Sequence, residues 1–370
     1  MLPDEVDQKK LARALEQLTS AIEELFLSGL TTASDATRQA LVATTQEAAR
    51  FRLLRLGSTL RTANEELGRY LSDDSAFSRK RLTFFLGRAW LLSRGLSHAL
   101  QSGDEQQFNQ LNWSPGATAL EQINLVCLGV VKRVSPGAFA AFDFRFRAIT
   151  DTEHVRIGQP ISWSFVFPFK PGVEIAPEGF LHLPQKQKFA PISFLDGKIV
   201  SVQHANVVLD DNGARLSLTE QSTVSLGSKF DGWADHLHWS PEAALARIRN
   251  HKPTPLDLDV EMQTDVALQN YEIGSPEESE VAGTAYYPIT FGNMTVHAVV
   301  NTSEAKTVRK QIEALRKVKK NRPLLFGLMH YERCRFVFQL LSSFSPQPNY
   351  IMISPDVIDK TSLLKALSFK

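Results

Sequence analysis

Between Ala49 and Tyr70 the apolar residues fall at Ala49, Leu53, Leu56, Leu60, Ala63, Leu67 and Tyr70, alternating steps of four and three. This is an a/d heptad seam, the spacing that lets helices pack side by side. The same spacing returns at Leu82, Phe85, Ala89, Leu92, Leu96 and Ala99, and in shorter form at Leu15, Leu18, Ile22 and Leu25. It predicts an antiparallel helical bundle over residues 1–112. Its longest helix, from Asp35 to Leu71, would measure roughly 55 Å at the α-helical rise. The oxygens of Ser72, Asp73, Asp74 and Ser75 are placed to cap the helix that follows.

Beyond Trp113-Ser114-Pro115-Gly116 the period falls to two. Phe142, Phe144 and Phe146 alternate with Asp143, Arg145 and Arg147, and Ile161, Trp163, Phe165 and Phe167 alternate with Ser162, Ser164 and Val166. Such alternation marks half-buried antiparallel strands. Further strands are expected at Val126 to Val134, Phe180 to Leu183, Lys198 to Leu209 and Arg215 to Leu226, with a hairpin turn at Asn212-Gly213. Residues 118–240 therefore read as a small β-barrel or sandwich. A short helix, Glu242 to Asn250, and a linker stiffened by Pro253 and Pro255 occupy residues 241–255.

Residues 256–370 combine both periods. Strands are expected at Val281 to Phe291, Thr295 to Val300, Leu324 to His330, Arg333 to Leu341 and Tyr350 to Ser354. A helix runs from a Ser303 cap through Lys320, and a short helix spans about Lys360 to Leu367. The fold class is thus α+β and multidomain: helical bundle, β-barrel or sandwich, then an α+β domain. No tandem repeat of fixed period is visible.

Composition adds little to this outline. Hydrophobic content of 43% and charged content of 22% over 370 residues fit folded domains, and the formal net charge of +1 gives no global pull toward polyanions. Neither of the two cysteines, Cys127 and Cys334, sits in a C-x-x-C pair, so zinc ribbons and disulfide frameworks are excluded as organising devices. The N-terminus lacks the pattern of a signal peptide, and no apolar run approaches the roughly 18 residues that span a bilayer. The expected location is cytoplasmic, with no membrane contact.

Local charge is more informative. Arg50, Arg52, Arg55, Arg61, Arg69, Arg79, Lys80, Arg81, Arg88 and Arg94 are expected on the outer face of the bundle. An acidic run, Asp257, Asp259, Glu261, Asp265, Glu272, Glu277, Glu278 and Glu280, precedes a basic helix carrying Lys306, Arg309, Lys310, Arg316, Lys317, Lys319 and Lys320. The sequence contains no phosphate loop, no dinucleotide fingerprint, no G-x-S-x-G elbow and no H-E-x-x-H, so no catalytic residue or cofactor is assigned.

Three functions fit. The first is a non-catalytic scaffold or adaptor, docking protein partners or a second copy through Leu56, Leu60, Arg55, Arg61, Arg81 and Arg88. The second is nucleic-acid binding by an OB-like barrel through Arg145 and Arg147, together with Arg309, Lys310, Arg316, Lys317, Lys319 and Lys320. The third is an enzyme with a metal held by Asp235, His236 and His238, which would require His236 and His238 to share one face of a strand. The sequence favours the first.

Overall fold

The computed structural model describes residues 5–33, 35–74, 77–112, 116–135, 139–169, 176–210, 213–238, 241–250, 256, 263–278, 284–300, 305–332 and 335–353. They form two compact units, residues 1–115 with 252–258, and residues 116–251 with 259–370.

In the first unit the apolar stripes close on one another. The helices are α1 (Glu5–Ser28), α2 (Asp35–Arg50), α3 (Leu54–Leu71), α4 (Arg79–Ser102) and α5 (Glu105–Asn112). The first four form a ring in which α1 and α3 each lie against α2 and α4. Leu15, Leu18, Ile22, Leu60, Ala63, Leu67, Leu92 and Leu96 meet in its core.

The expected single helix from Asp35 to Leu71 is two helices. Arg52 adopts φ 55°, its amide donates to the Ala49 carbonyl at 3.0 Å, and the Leu53 amide donates to Ala48 at 2.8 Å. This is a Schellman stop with arginine in the left-handed position that glycine usually fills. Asp73 (φ 54°) and Gly103 (φ 68°) end α3 and α4 in the same way. The break moves the seam, so Ala48 is buried and Ala49 exposed. Ser78, rather than the Ser72 to Ser75 stretch, caps α4, its hydroxyl accepting from the Arg81 amide at 3.3 Å.

The second unit begins with a closed five-stranded barrel made of β1 (Ala117–Ser135), β2 (Phe139–Ala148), β3 (Pro160–Pro168), β4 (Lys198–Asp210) and β5 (Gly213–Lys229). Its order is β1-β2-β3-β5-β4, with β1 paired to both β2 and β4, and β3 parallel to β5. Phe142, Phe144 and Phe146 point inward and are fully buried, as period two requires. The stretch Phe180 to Leu183, expected as a strand, instead lies at a 3₁₀ turn, Pro177–His182. With a second 3₁₀ turn, Pro191–Asp196, it seats Phe180 and Phe194 in the barrel core.

An α-helix, α6 (Pro241–Asn250), leads to an eight-stranded sheet. Its strands are β6 (Thr264–Leu268), β7 (Tyr271–Ile273), β8 (Glu277–Glu278), β9 (Ala285–Phe291), β10 (Met294–Val300), β11 (Leu324–Glu332), β12 (Arg335–Ser345) and β13 (Gln347–Tyr350), with α7 (Ala305–Lys317) between β10 and β11. The order is β6-β11-β12-β10-β9-β7, with β10 parallel to β12. β6 and β7 are consecutive pieces of chain bent at Asn270 (φ 50°), and together they pair with β11 and β9 as β1 pairs with β4 and β2. The sheet therefore repeats the connectivity of the first barrel, with α7 where that barrel has its 3₁₀ turns.

The two β layers share a core. Val126, Leu128 and Val131 leave the outer face of β1 to pack with Phe326, Phe338 and Leu341. Gly129 permits this approach, because a Cβ there would lie 2.8 Å from Leu341 Cβ. The Ser342 hydroxyl donates to the Leu128 carbonyl, and the Tyr350 hydroxyl to that of Cys127 at 2.9 Å. Burial pushes the Cys127 thiol up to about 12, so it stays an unreactive core thiol. Cys334 and the stretches expected as the Pro253 to Pro255 linker and the Lys360 to Leu367 helix lie outside the described residues. No helix among the described residues is long and apolar enough to cross a membrane.

Candidate functional site

Alternation along β2 puts Arg145 and Arg147 on the face opposite the phenylalanines. Arg145 stands across from Ser162 of β3, and Arg147 from Pro160. Both are ordered by carboxylates. Arg145 Nη2 donates to Asp143 Oδ2 at 2.6 Å, and the other oxygen of Asp143 accepts from the Ser164 hydroxyl at 2.9 Å. Arg147 Nη1 meets Asp265 Oδ2 at 2.5 Å, with its guanidinium 5.7 Å from the Phe326 ring centre.

Beside them the chain makes a 3₁₀ turn, Trp233–His236. Trp233 and Leu237 are buried, Trp233 packing on Phe230 and Phe344 with ring centroids 5.0 and 5.3 Å away. These two anchors leave Asp235, His236 and His238 to line a pocket with Arg145 and Arg147. Its walls also include the turn Gly158–Pro160, Gly213, Arg247 of α6, and Gln263, Thr264 and Asp265 at the start of β6; the volume is about 510 Å³. Arg145 Nε, His236 Nδ1 and Gln263 Oε1 are buried there without a hydrogen-bond partner. The histidine pKa is pulled below its ordinary value, by burial first and then by Arg147 and His238, with Asp235 opposing.

A metal reading of this site is not supported. The strand that would have set His236 and His238 side by side is not there: Trp233–His236 is a 3₁₀ turn, with His238 beyond its end. Among the described residues no three His, Cys, Asp or Glu side chains converge to hold an ion. Arg145, Arg147 and Arg247 would also repel a cation.

The other candidate residues are dispersed. Leu56 and Leu60, 1% and 0% exposed, fill the core of the bundle's own ring rather than facing outward. Arg88, expected on the outer face, is buried too. Arg81 meets the buried Glu66 at 2.8 Å, Arg55 Nη2 donates to the Leu256 carbonyl at 3.1 Å, and Arg61 is exposed. On α7, Val308, Ile312 and Leu315 face the core. Arg309 meets Glu278 at 3.1 Å and donates to the Tyr287 hydroxyl, and Arg316 meets Glu313 at 3.0 Å. Part of the acidic run thus pairs with the basic helix inside one chain. Lys310, Lys317, Lys319 and Lys320 are exposed.

Arg247 and Gln263 carry no signal of their own in the sequence. Only the fold brings them beside β2.

A five-stranded barrel ordered β1-β2-β3-β5-β4, closed through β1, has the connectivity of the OB class. No family model matches this chain, and no curated protein does. Similar solved structures include the Ifi202 HINa domain in complex with 20-bp double-stranded DNA, 9% identical over 60% of this chain and 94% of that one, TM-score 0.25. A murine DNA-binding protein bound to double-stranded DNA is 10% identical over 65% of this chain and 100% of that one, TM-score 0.25. The tetrameric p202 HIN2 is 9% identical over 60% and 90%, TM-score 0.27. Likenesses of this order say nothing about what this chain binds.

Proposed function

We propose that this chain is a non-catalytic binding protein whose β unit holds nucleic acid along the outer face of β2 and β3. The observation that carries this reading is the pair Arg133 and Arg145, which lies with Ser162 and Ser164 on the outer surface of an OB-type barrel, Arg147 beyond them being buried against the neighbouring sheet. That is the surface such barrels use for oligonucleotides. Guanidiniums and hydroxyls suit a phosphate backbone, and the exposed lysines at the end of α7 add sequence-independent attraction. The fully buried phenylalanines of β2 are core, so base stacking on them forms no part of the reading.

The test is fluorescence anisotropy of the whole chain with labelled single- and double-stranded oligonucleotides at two salt concentrations. The expected result is affinity that falls steeply with salt, and at least fivefold on Arg133→Gln with Arg145→Gln. Absent or salt-independent binding would reject it.

A second reading, a cytoplasmic adaptor, is favoured by the bundle surface. Leu27 is 89% and Leu54 58% exposed, and Phe26 and Phe84 are exposed as well. Light scattering of the purified protein and of a Leu27→Gln, Leu54→Gln variant tests self-association through these residues. A monomer at all concentrations would leave only heterologous partners.

A further inference from the structure

We propose that the pocket bounded by Arg145, Arg147, Arg247, His236 and Gln263 binds a phosphate monoester, either a free mononucleotide or the phosphorylated end of a strand. This rests on the nucleic-acid reading, with which it shares Arg145, and deepens it by naming the group held. The cavity, about 510 Å³, has the size of a small-molecule site. Guanidiniums reach it from two elements, β2 and α6, and their forks match the oxygens of a terminal phosphate. The ion pairs to Asp143 and Asp265 use Nη2 of Arg145 and Nη1 of Arg147, which fixes both forks while leaving further N–H donors on each.

Arg145 Nε and His236 Nδ1 are buried without a partner, an arrangement that costs stability unless a ligand is served. Gln263 Oε1 is the matching orphan acceptor, and Asp235 is a second acceptor on the wall. Acceptors beside arginines fit an ester with its own hydroxyl or amino donors better than bare inorganic phosphate. Gly213, at φ 138°, lies so close to Pro160 that a Cβ there would meet the Pro160 carbonyl at 2.3 Å, so this point of the pocket wall is backbone.

The experiment is calorimetric titration of the full chain with AMP, adenosine and inorganic phosphate, and with a hexanucleotide carrying a 5′-phosphate or a 5′-hydroxyl. AMP is expected to bind at least tenfold more tightly than adenosine and more tightly than inorganic phosphate. Arg247→Gln should weaken AMP at least tenfold and Arg247→Lys less, each in protein whose thermal unfolding remains cooperative. Arg133→Gln, outside the pocket, should leave AMP binding intact while weakening long oligonucleotides, which separates failure of the pocket from failure of the strand reading. A phosphorylated hexanucleotide favoured tenfold over its hydroxyl form assigns the strand end as the source; equal affinity of the two with tight AMP assigns the free nucleotide. Equal or absent binding of AMP and adenosine, together with no preference between the hexanucleotides, would overturn the proposal, as would AMP binding untouched by Arg247→Gln.

Discussion

Arg147 of β2 and Asp265 of β6 meet at 2.5 Å with side chains only 8% and 10% exposed, so one β layer is tied to the other by a nearly dry ion pair. Removing one member of such a pair strands the other. Asp265→Ala is expected to cost about 3–5 kcal/mol in urea unfolding, whereas Arg147→Met with Asp265→Leu should come within about 1 kcal/mol of the parent. A loss below about 1 kcal/mol for Asp265→Ala would mean that Arg147 finds water or another acceptor.

Arg52 is exposed and sits at φ 55°, a region that costs an L residue about 1–2 kcal/mol. Glycine relieves that cost but gives back part of it as chain entropy. Arg52→Gly is therefore expected to raise stability by about 0.5–1 kcal/mol, read as a higher melting temperature. A lower one would show that the arginine side chain holds the α2–α3 junction.

Glu66 is buried in the bundle, where its carboxylate accepts from Arg69, from Arg81 at 2.8 Å and from the Ser78 amide at 3.0 Å. It thereby fastens the start of α4 to α3. Glu66→Ala should cost roughly 3 kcal/mol, the lower end of the range for a broken buried pair, because Arg81 keeps some contact with solvent. Chemical denaturation with far-ultraviolet dichroism checks this, and a change under about 1 kcal/mol would refute the clamp.

His236 provides a pH-dependent handle on the pocket. Its folded pKa lies below its unfolded value near 6.5, so in the window between the two the unfolded chain binds more protons and stability falls as pH falls. An anion bound among Arg145, Arg147 and Arg247 favours the charged imidazole and reverses part of that loss. Sulfate, whose charge is constant over the range, should therefore bind several-fold more tightly at pH 5.5 than at 7.5, and His236→Gln should flatten the difference. Sulfate affinity that is constant or weaker at low pH in the parent protein would contradict this.

Much of the architecture is written in local periodicity. The three- and four-residue steps at Leu15, Leu60 and Leu92 mark the bundle core, and the alternation at Phe142, Phe144 and Phe146 marks the inside of a strand. The break at Arg52 was illegible because the seam continues through it and no glycine announces it. Phe180 and Leu181 are buried without alternation, so their 3₁₀ turn resembles a strand in sequence. The repeated connectivity of the two β layers leaves no sequence period, because a single long β1 corresponds to the two short strands β6 and β7, and 3₁₀ turns to α7. The site was legible only in pieces. Arg145, Arg147, His236 and His238 stand out by type and spacing, but their meeting depends on barrel closure, and Arg247 and Gln263 have no local mark.

The double burial of β1 limits how this chain can be divided. From Leu125 to Val131 the strand has no solvent face, one side serving its own barrel and the other the neighbouring sheet. The first barrel cut free of that sheet would carry Val126, Leu128 and Val131 as a bare greasy stripe, so neither layer keeps a water-compatible surface without the other.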